Sequence, residues 1–290
     1  MFELDDHAIG GEKMKNFSRQ EILDRLHAET AANRPILGAG TSCGLIAKCA
    51  ALGGADLLIV YSTGRSRLMG LPTSRIGDSN ANTIEMAGEI RNVVSNTPVI
   101  GGIEAWDPTR MDLDSLLDEF QAAGFSGIIN YPTISTMGKT WRERRSKVGL
   151  GWEREVELIE RAAACNIFTM AYVATVQDAL EMASKGVDCL VPHVGATSGG
   201  LVGHETASKL DNEIFKISQM IDAVCAVGST PIFLCHGGKI AEPLDTRRVY
   251  EKTQCVGFVG ASSIERIPIE RAVKSIAEDF KSIPFTKEQI

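Results

Sequence analysis

The stretch that decides the fold is residues 167–193, IFTMAYVATVQDALEMASKGVDCLVPH. It begins with the apolar run 167–172 and ends with a second apolar run, 189–193. Continuous apolar runs of this length indicate strands that are buried on both faces, as in a parallel sheet. Between the two runs, Thr175-Val-Gln-Asp178 is typical of a helix N-terminus. The stretch therefore predicts one strand, helix, strand unit.

The same unit recurs along the chain from residue 35 onward. The apolar runs are Pro35–Gly40, Leu57–Tyr61, Pro98–Ile103, Gly127–Tyr131, Ile167–Tyr172, Cys189–His193, Pro231–His236 and Gly257–Ala261. Eight strand-then-helix units without a competing domain predict an α/β protein, a single-domain (β/α)8 TIM barrel. A doubly wound open sheet is the alternative, because only the strand count separates the two folds.

Helix signals stand before, between and after these runs. Ser18-Arg-Gln-Glu21 is a capping box, and its helix is expected to close the bottom of the barrel. Asn82-Thr-Ile-Glu85 resembles another capping box, and Pro268 suits the first turn of a last helix that ends at about Ser282. We expect residues 16–290 to form the barrel and residues 1–15 to be a disordered leader.

Composition and charge narrow the class of partner. The 290 residues are 44% hydrophobic and 23% charged, which is ordinary for a globular protein. The formal net charge of −7 argues against nucleic acid and anionic membranes as partners. Seven scattered cysteines, an acidic N-terminus and the lack of an apolar run of about 18 residues favour the cytoplasm. A small anionic metabolite is the expected partner.

Three of the connections that follow strands are long. Residues 62–81, 132–152 and 194–211 follow the second, fourth and sixth strands. In a barrel such loops lie at the carboxyl ends of the strands, where active sites are built. We therefore expect a functional site at that end, the mouth of the barrel.

Glycines and hydroxyl side chains in the turns after the first, seventh and eighth strands are suited to bind an anion. Barrels often bind phosphate after the seventh and eighth strands, where backbone N–H groups and serine hydroxyls meet the oxygens. Tight turns without a ligand are the plainer interpretation of the same residues. The predicted anion-binding residues are Gly237, Gly238, Gly260, Ser262 and Ser263, with Thr41 and Ser42 after the first strand.

Three ionisable residues close strands at the mouth. His193 and His236 end the sixth and seventh strands, and Glu104 directly follows the third. Each histidine could be a general acid, a general base or a metal ligand, and Glu104 could be a base or a ligand. Asp107, by contrast, more plausibly starts a turn with Pro108.

Asn130 and Tyr131 close the fourth strand and Tyr172 closes the fifth. Asn130 and Tyr172 could hydrogen-bond a substrate carbonyl or a developing oxyanion. For either tyrosine, packing under the mouth is an equally good interpretation.

Several reaction classes find no support. No lysine stands at a strand end, so a Schiff-base aldolase lacks a nucleophile. GxxxxGK[ST] and HExxH are absent from the sequence. The loop Gly38-Ala-Gly40-Thr-Ser-Cys-Gly44 lacks the full GxGxxG pattern, which argues against a nicotinamide cofactor.

Four segments in chain order resemble the phosphoenolpyruvate hydrolase-like TIM-barrel family. They are Tyr61-Ser-Thr-Gly-Arg65, Gly77-Asp-Ser-Asn80, Cys235-His-Gly-Gly238 and Gly260-Ala-Ser-Ser-Ile-Glu-Arg266. Members are labelled phosphonopyruvate hydrolases, and a similar barrel forms the C-terminal part of a plant virus-resistance protein. The resemblance spans roughly residues 16–285.

The resemblance implies a hydrolase or lyase that cleaves a small phosphorylated or carboxylated 2-oxo acid or enol phosphate. It places Arg65, His236, Ser262 and Ser263 at motif positions. The related phosphoenolpyruvate mutase and isocitrate lyase superfamily binds Mg²⁺ through mouth carboxylates and commonly has a Lys-x-Cys-Gly loop. Here that loop is absent, so the cofactor stays unknown, with a divalent metal such as Mg²⁺ as a candidate. A non-catalytic ligand-binding or signalling barrel is the alternative function, and a homo-oligomer is expected.

Overall fold

A computed structural model describes residues 15–205 and 208–285 of the chain. Almost all of the leader predicted for residues 1–15 therefore lies outside the described residues. The boundaries of the leader and of the barrel stay predictions at both ends of the chain.

The described residues form a closed barrel of eight parallel strands. Each strand pairs with the next, and β8 pairs with β1 to close the ring, for example through Gly38 and Val259. The predicted barrel is therefore confirmed, and the open sheet is excluded. The strands are β1 Ile36–Gly40, β2 Leu57–Val60, β3 Val99–Gly102, β4 Gly127–Ile129, β5 Phe168–Val173, β6 Cys189–Pro192, β7 Ile232–Cys235 and β8 Gly257–Gly260.

Helices surround the strands. They are α1 Arg19–Ala31, α2 Gly44–Leu52, α3 Thr63–Leu68, α4 Ser79–Arg91, α5 Leu113–Ala123, α6 Lys139–Ser146, α7 Trp152–Ala164, α8 Val176–Ser184, α9 Leu210–Ala226, α10 Pro243–Lys252, α11 Ser262–Glu265 and α12 Ile267–Ser282. Two of the long loops thus contain short helices, α3 and α6. Within the described part of the chain, no helix is long and apolar enough to cross a membrane.

Three of the four predicted helix starts are confirmed and one is wrong. Pro268 lies in the first turn of α12, which ends at Ser282 as expected. Ser18 makes the capping box of α1, and the Thr175 hydroxyl accepts the Asp178 N–H at the start of α8. The helix predicted to begin at Asn82 starts four residues earlier, because the Asp78 carboxylate accepts the Ala81 N–H at 2.9 Å. Aspartate is as good an N-cap residue as asparagine, and Asp78 precedes Asn82 in the sequence.

The barrel interior is an apolar core that is separate from the layer between strands and helices. Every second residue of each strand points inward, which is the period of a β-strand. The members are fully or nearly buried and include Ile36, Leu57, Ile59, Ile100, Ile129, Phe168, Met170, Cys189, Val191, Leu234 and Val259. Phe17, Ile22 and Leu26 belong to the same cluster. As expected from the sequence, α1 therefore closes the bottom of the barrel.

We expect Leu26→Ala to lower the free energy of unfolding by about 2–5 kcal/mol, because it leaves a cavity under the barrel. Leu26 is 1% exposed. His27→Ala, on the exposed side of the same helix, is the control and should change stability by about 0.5 kcal/mol or less. Urea denaturation of the two variants measures the difference. Equal stability would show that α1 does not seal the core.

Candidate functional site

The inward register of the strands continues past their carboxyl ends and builds the mouth. On β6, Cys189 and Val191 point inward, so His193 does too; on β7, Leu234 is followed in the same way by His236. The residues that this register brings to the mouth are Tyr61, Glu104, Tyr131, Tyr172, His193 and His236. The structure thus brings together the three ionisable residues that the sequence singled out.

Three tyrosines line one side of the mouth. The ring centroids of Tyr61 and Tyr131 lie 4.7 Å apart, and those of Tyr131 and Tyr172 lie 5.5 Å apart. Gly102 makes room for this cluster, because a Cβ there would lie 2.6 Å from the Cβ of Tyr61. Burial raises the pKa of the Tyr61 and Tyr172 hydroxyls above the usual value. Both therefore stay protonated and can donate hydrogen bonds.

His236 is a buried imidazole whose tautomer is set by the backbone. Its Nδ1 lies 2.7 Å from the Val259 carbonyl oxygen. A carbonyl only accepts, so Nδ1 carries the proton and Nε2 keeps a free lone pair when the ring is neutral. Burial, together with the positive charge of Arg67, lowers the pKa of His236 to about 4. Nε2 is therefore a proton acceptor at neutral pH.

His193 has the opposite tautomer. Its Nδ1 accepts the Gly195 N–H at 3.1 Å, so the neutral ring carries its proton on Nε2. Burial and the neighbouring His236 lower the pKa of His193 well below its usual value. The two ring centroids lie 4.7 Å apart. The mouth thus holds one Nε2 acceptor and one Nε2–H donor side by side.

Glu104 is fully buried and its carboxylate is held by an arginine that sequence reasoning did not single out. Oε2 accepts the Nε–H of Arg75 at 2.8 Å, whereas Oε1 is buried without a hydrogen-bond partner among the described residues. The Glu104 backbone is fixed by Asn80, whose Oδ1 accepts the Glu104 N–H at 2.9 Å. The guanidinium thus occupies one oxygen of the carboxylate. This arrangement favours a positioning role for Glu104.

A second arginine, Arg67, forms a fully buried ion pair with Glu265 at the base of α11. Its guanidinium also lies 5.5 Å from the centroid of the Tyr61 ring and donates to the Thr63 hydroxyl at 3.2 Å. Sequence reasoning missed Arg67 and Glu265. The partners are 198 residues apart in the chain, so no local pattern signals the pair.

Buried hydroxyls gather where β1, β2 and β8 end. Thr41 Oγ1, Ser42 Oγ and Ser62 Oγ are buried and have no hydrogen-bond partner in the described structure. The loops approach closely, since a Cβ on Gly64 would lie 2.5 Å from the Cβ of Ser42. Buried hydroxyls without partners are uncommon, and a water or ligand normally satisfies them. Thr41 and Ser42 remain candidate ligand-binding residues.

The turn after β7 already has partners inside the protein. The Gly238 N–H donates to the Gly195 carbonyl at 3.0 Å, and the Lys239 N–H donates to Glu213 Oε2 at 2.7 Å. Gly237 and Gly238 have positive φ angles of 87° and 58°, which explains the choice of glycine. The carboxylate of Glu213 thus occupies the position that the sequence analysis reserved for an anion.

The turn after β8 is more open to a ligand. Ser262 is buried in the first turn of α11, and Ser263 Oγ is buried without a partner in the described chain. Gly260 is tightly packed, because a Cβ there would lie 2.7 Å from Ile264 Cγ1. Of the two predicted phosphate turns, this one keeps an unpartnered hydroxyl.

Two further candidates already have partners inside the protein. Arg65, on α3, forms an ion pair with Glu85 at 2.8 Å. Asn130 joins β4 to β5, since its Oδ1 accepts the Tyr172 N–H at 2.7 Å and its Nδ2 donates to Glu155 at 2.6 Å. As predicted, Asp107 starts a turn, accepting the Thr109 N–H at 2.8 Å.

Glu155 on α7 is a buried acid that sequence reasoning missed. Burial raises the pKa of Glu155 to about 8, although hydrogen bonds from the Ile134 N–H, the Thr133 hydroxyl and Asn130 act to lower it. A charged residue on the apolar stripe of an amphipathic helix, three residues before Leu158, was the available signal. It fixes the loop after β4.

The residues at the mouth do not fit a divalent metal ion. The buried carboxylates of Glu104 and Glu265 are each paired with an arginine. Across residues 15–205 and 208–285, no three His, Cys, Asp or Glu side chains converge in a way that could hold a metal. Glu104 Oε1 alone, on a carboxylate already paired with Arg75, is a weak ligand set for Mg²⁺.

Fold and mouth together define a class: a (β/α)8 barrel with a neutral histidine pair, tyrosines and arginine–carboxylate pairs at the carboxyl ends of the strands. The profile of the phosphoenolpyruvate hydrolase-like family matches residues 21–283. The chain belongs to this family.

Curated relatives include two tomato (Solanum lycopersicum) proteins. The ToMV resistance protein Tm-1(GCR237) is 36% identical over 91% of this chain and 36% of its own length. The ToMV susceptible protein tm-1(GCR26) is also 36% identical, over 90% of this chain and 35% of its own. The chain thus spans about a third of the length of these relatives.

Among solved structures, a phosphonopyruvate hydrolase in complex with oxalate and Mg²⁺ is similar, with a TM-score of 0.59 and 15% identity over 93% of each chain. An oxaloacetate acetylhydrolase in complex with its product oxalate has a TM-score of 0.60 and 13% identity, over 94% of this chain and 92% of its own. At these identities the likeness shows the fold.

The low pKa of His236 predicts an acid-labile fold. The unfolded ring titrates near 6.5 and the folded ring near 4. The unfolded chain binds the proton more readily, so stability present above pH 6.5 is lost as the pH falls toward 4. We expect His236→Asn to reduce that loss by about 3 kcal/mol at most. Urea denaturation from pH 7.5 to 4 measures it.

The matched control is His27→Asn, because His27 is exposed on α1. This variant should keep the acid slope of the wild-type chain. If His236→Asn kept that slope as well, His236 would not be a buried neutral histidine.

Proposed function

We propose that the chain is a hydrolase or lyase that cleaves a bond in a small carboxylated 2-oxo acid, with His236 as the general base. The observation that carries the proposal is the pair of complementary tautomers at the mouth. His236 offers an Nε2 lone pair and His193 an Nε2–H, 4.7 Å apart between ring centroids. One acceptor beside one donor is what moving a proton and stabilising an oxyanion require.

In a hydrolysis, the oxygen of a water molecule bonds to the substrate carbonyl carbon while its proton passes to His236 Nε2. The carbonyl oxygen gains negative charge and receives a hydrogen bond from His193 Nε2–H. The tetrahedral centre then collapses, the carbon–carbon bond breaks, and its electron pair takes the proton from His236. Both imidazoles start neutral, as their lowered pKa values favour.

The substrate class is supported by the polar groups around the histidines. Tyr172 packs against both rings, at 4.8 Å from His236 and 5.2 Å from His193, and its hydroxyl lies 3.5 Å from that of Tyr61. Such hydroxyls and the unpartnered Thr41, Ser42 and Ser263 suit the oxygens of a carboxylated or phosphorylated acid. The family and the two oxalate complexes point to the same class.

We place the enzyme in the cytoplasm, on the evenly scattered cysteines and the acidic composition of the chain. The phosphate-binding role predicted for Gly237, Gly260, Ser262 and Ser263 remains part of the proposal, whereas Arg65 and Gly238 have the partners described above. The proposed ligand is a small anion.

The decisive experiment measures turnover of oxaloacetate, phosphonopyruvate and phosphoenolpyruvate by the wild-type chain and by His236→Asn. Asparagine keeps a donor for the Val259 carbonyl but supplies no base, so kcat should fall by about 10²- to 10⁴-fold. His27→Asn should keep the wild-type rate. Activity of His236→Asn within twofold of wild type would remove His236 from the mechanism.

Binding without turnover would favour the other function, a ligand-sensing barrel. The curated relatives are named for susceptibility and resistance to a virus, not for a reaction. Calorimetric titration of oxaloacetate alongside the turnover assay separates the two functions. Binding of oxaloacetate without product from any of the three compounds would indicate that the chain is a sensor and not an enzyme.

We also propose that the chain is a homo-oligomer that associates through α12. Ile267 is the one buried residue of this helix, whereas Val273, Ile276 and Phe280 are exposed at helical spacing. Phe280 is 76% exposed. A contiguous apolar face of this kind marks an interaction surface on a globular protein.

We expect Ile276→Glu combined with Phe280→Glu to dissociate the oligomer, because association would bury two carboxylates in an apolar interface. Light scattering coupled to gel filtration measures the mass. Phe215→Glu, on the exposed side of α9, is the control and should leave the mass unchanged. A wild-type mass equal to one chain, 31.3 kDa, would contradict the proposal.

A further inference from the structure

We propose that Arg75 is the residue that recognises a carboxylate of the ligand at the mouth, positioned by Glu104 and acting without a divalent metal ion. The class of ligand rests on the proposed function. The role of Arg75 goes beyond it, since neither the motif positions nor the catalytic histidines include this residue.

The guanidinium is anchored at one edge only. Arg75 Nε donates to Glu104 Oε2 at 2.8 Å, and Glu104 itself is fully buried. The terminal Nη1 and Nη2 groups have no partner among the described residues. The Arg75 side chain is 44% exposed. A guanidinium with both terminal nitrogens unpartnered keeps the fork of N–H groups that a carboxylate accepts bidentately.

A second contact, with Trp106, restrains the guanidinium of Arg75. The Arg75 guanidinium lies 5.6 Å from the centroid of the Trp106 ring. That indole is itself held, because its Nε1–H donates to the Pro132 carbonyl at 3.0 Å. Cation–π contact and ion pair together restrain a long side chain that would otherwise lose rotamer entropy on binding. Arg75 is thus preorganised.

Glu104 places this anchor at the mouth. It follows Ile100 and Gly102 in the inward register of β3, so it stands on the side of the strand that faces the histidines and tyrosines. Because its carboxylate neutralises one guanidinium, the pair carries no net charge. The ligand is therefore held by directed hydrogen bonds rather than by an unpaired charge. Glu104 contributes by setting the position of Arg75.

The other arginines nearby are less suited to this role. Arg67 is fully buried against Glu265, and Arg65 is paired with Glu85. The Arg145 guanidinium lies 4.9 Å from the centroid of the Trp106 ring. Its N–H groups already donate to the carbonyls of Trp106 and Leu150. Arg75 combines exposure, a free edge and a buried anchor.

Arginine recognition also accounts for the poor fit of a metal. In the solved phosphonopyruvate hydrolase, oxalate is present together with Mg²⁺. Here the carboxylate that follows β3 is occupied by a guanidinium at 2.8 Å. A dication at Glu104 would lie beside that positive charge and be repelled. The guanidinium supplies the positive partner for the ligand carboxylate in its place.

The test uses oxalate as the probe and isothermal titration calorimetry as the readout, with the full chain in EDTA and in Mg²⁺. We expect the same Kd within twofold in both buffers. Arg75→Met combined with Glu104→Gln removes the fork without leaving a buried charge unpaired, and should weaken oxalate binding tenfold or more. Arg247→Met, at an exposed arginine of α10, is the matched control and should bind as wild type does.

A single variant, Glu104→Gln, tests the positioning role. It should weaken oxalate binding, and adding Arg75→Met to it should cost less than Arg75→Met costs alone, because coupled residues are non-additive. Thermal unfolding of each variant shows whether the fold is kept. Additive losses would mean that Glu104 does not position Arg75.

The outcomes separate this inference from the proposed function. Oxalate binding that requires Mg²⁺, or that survives in the double variant, overturns the inference even if the wild-type chain turns over an oxo acid. Metal-independent binding that depends on Arg75 supports it, even if no turnover is found and the proposed reaction fails. No oxalate binding to the wild-type chain overturns it as well.

Discussion

The strict alternation of side chains along the eight strands is the constraint on which the rest of the structure depends. A closed parallel barrel has one inner face, and each strand contributes every second residue to it. Toward the bottom of the barrel, opposite the mouth, this inner face is filled by apolar side chains and closed by α1. Two residues further along the same register, the inward positions become Tyr172, His193 and His236. The mouth is therefore a continuation of the core.

Because the mouth grows out of an apolar interior, its ionisable groups are poorly solvated. Burial keeps both histidines neutral, and backbone groups, the Val259 carbonyl and the Gly195 N–H, choose their tautomers. Arg67 with Glu265 and Arg75 with Glu104 are present as ion pairs. A low-dielectric site tolerates neutral proton carriers and paired charges, whereas an isolated charge there would be costly. Neutral imidazoles and preorganised guanidinium groups are the chemistry that such a site allows.

Much of the fold could be predicted because its signals are local. All eight strands begin within one residue of the apolar runs that predicted them, and Ser18 and Thr175 cap their helices as expected. The error at Asn82 arose because Asp78 competes for the same role a few residues earlier. His193, His236 and Glu104 were found because a strand end is also visible in sequence. The arginines were not: the motif pointed to Arg65, while Arg67 and Arg75 reach the buried carboxylates.

The sequence by itself determined the barrel and the residues that end its strands, since apolar runs, glycines and capping residues act over a few positions along the chain. Only the tertiary structure decided which groups meet there. It put Glu213 into the turn after β7, turned Asn130 toward β5 and brought Arg75 onto Glu104. Contacts between loops 29 or more residues apart depend on where the closed barrel places those loops. Burial, and with it the protonation state of every group at the mouth, exists only once the ring has closed.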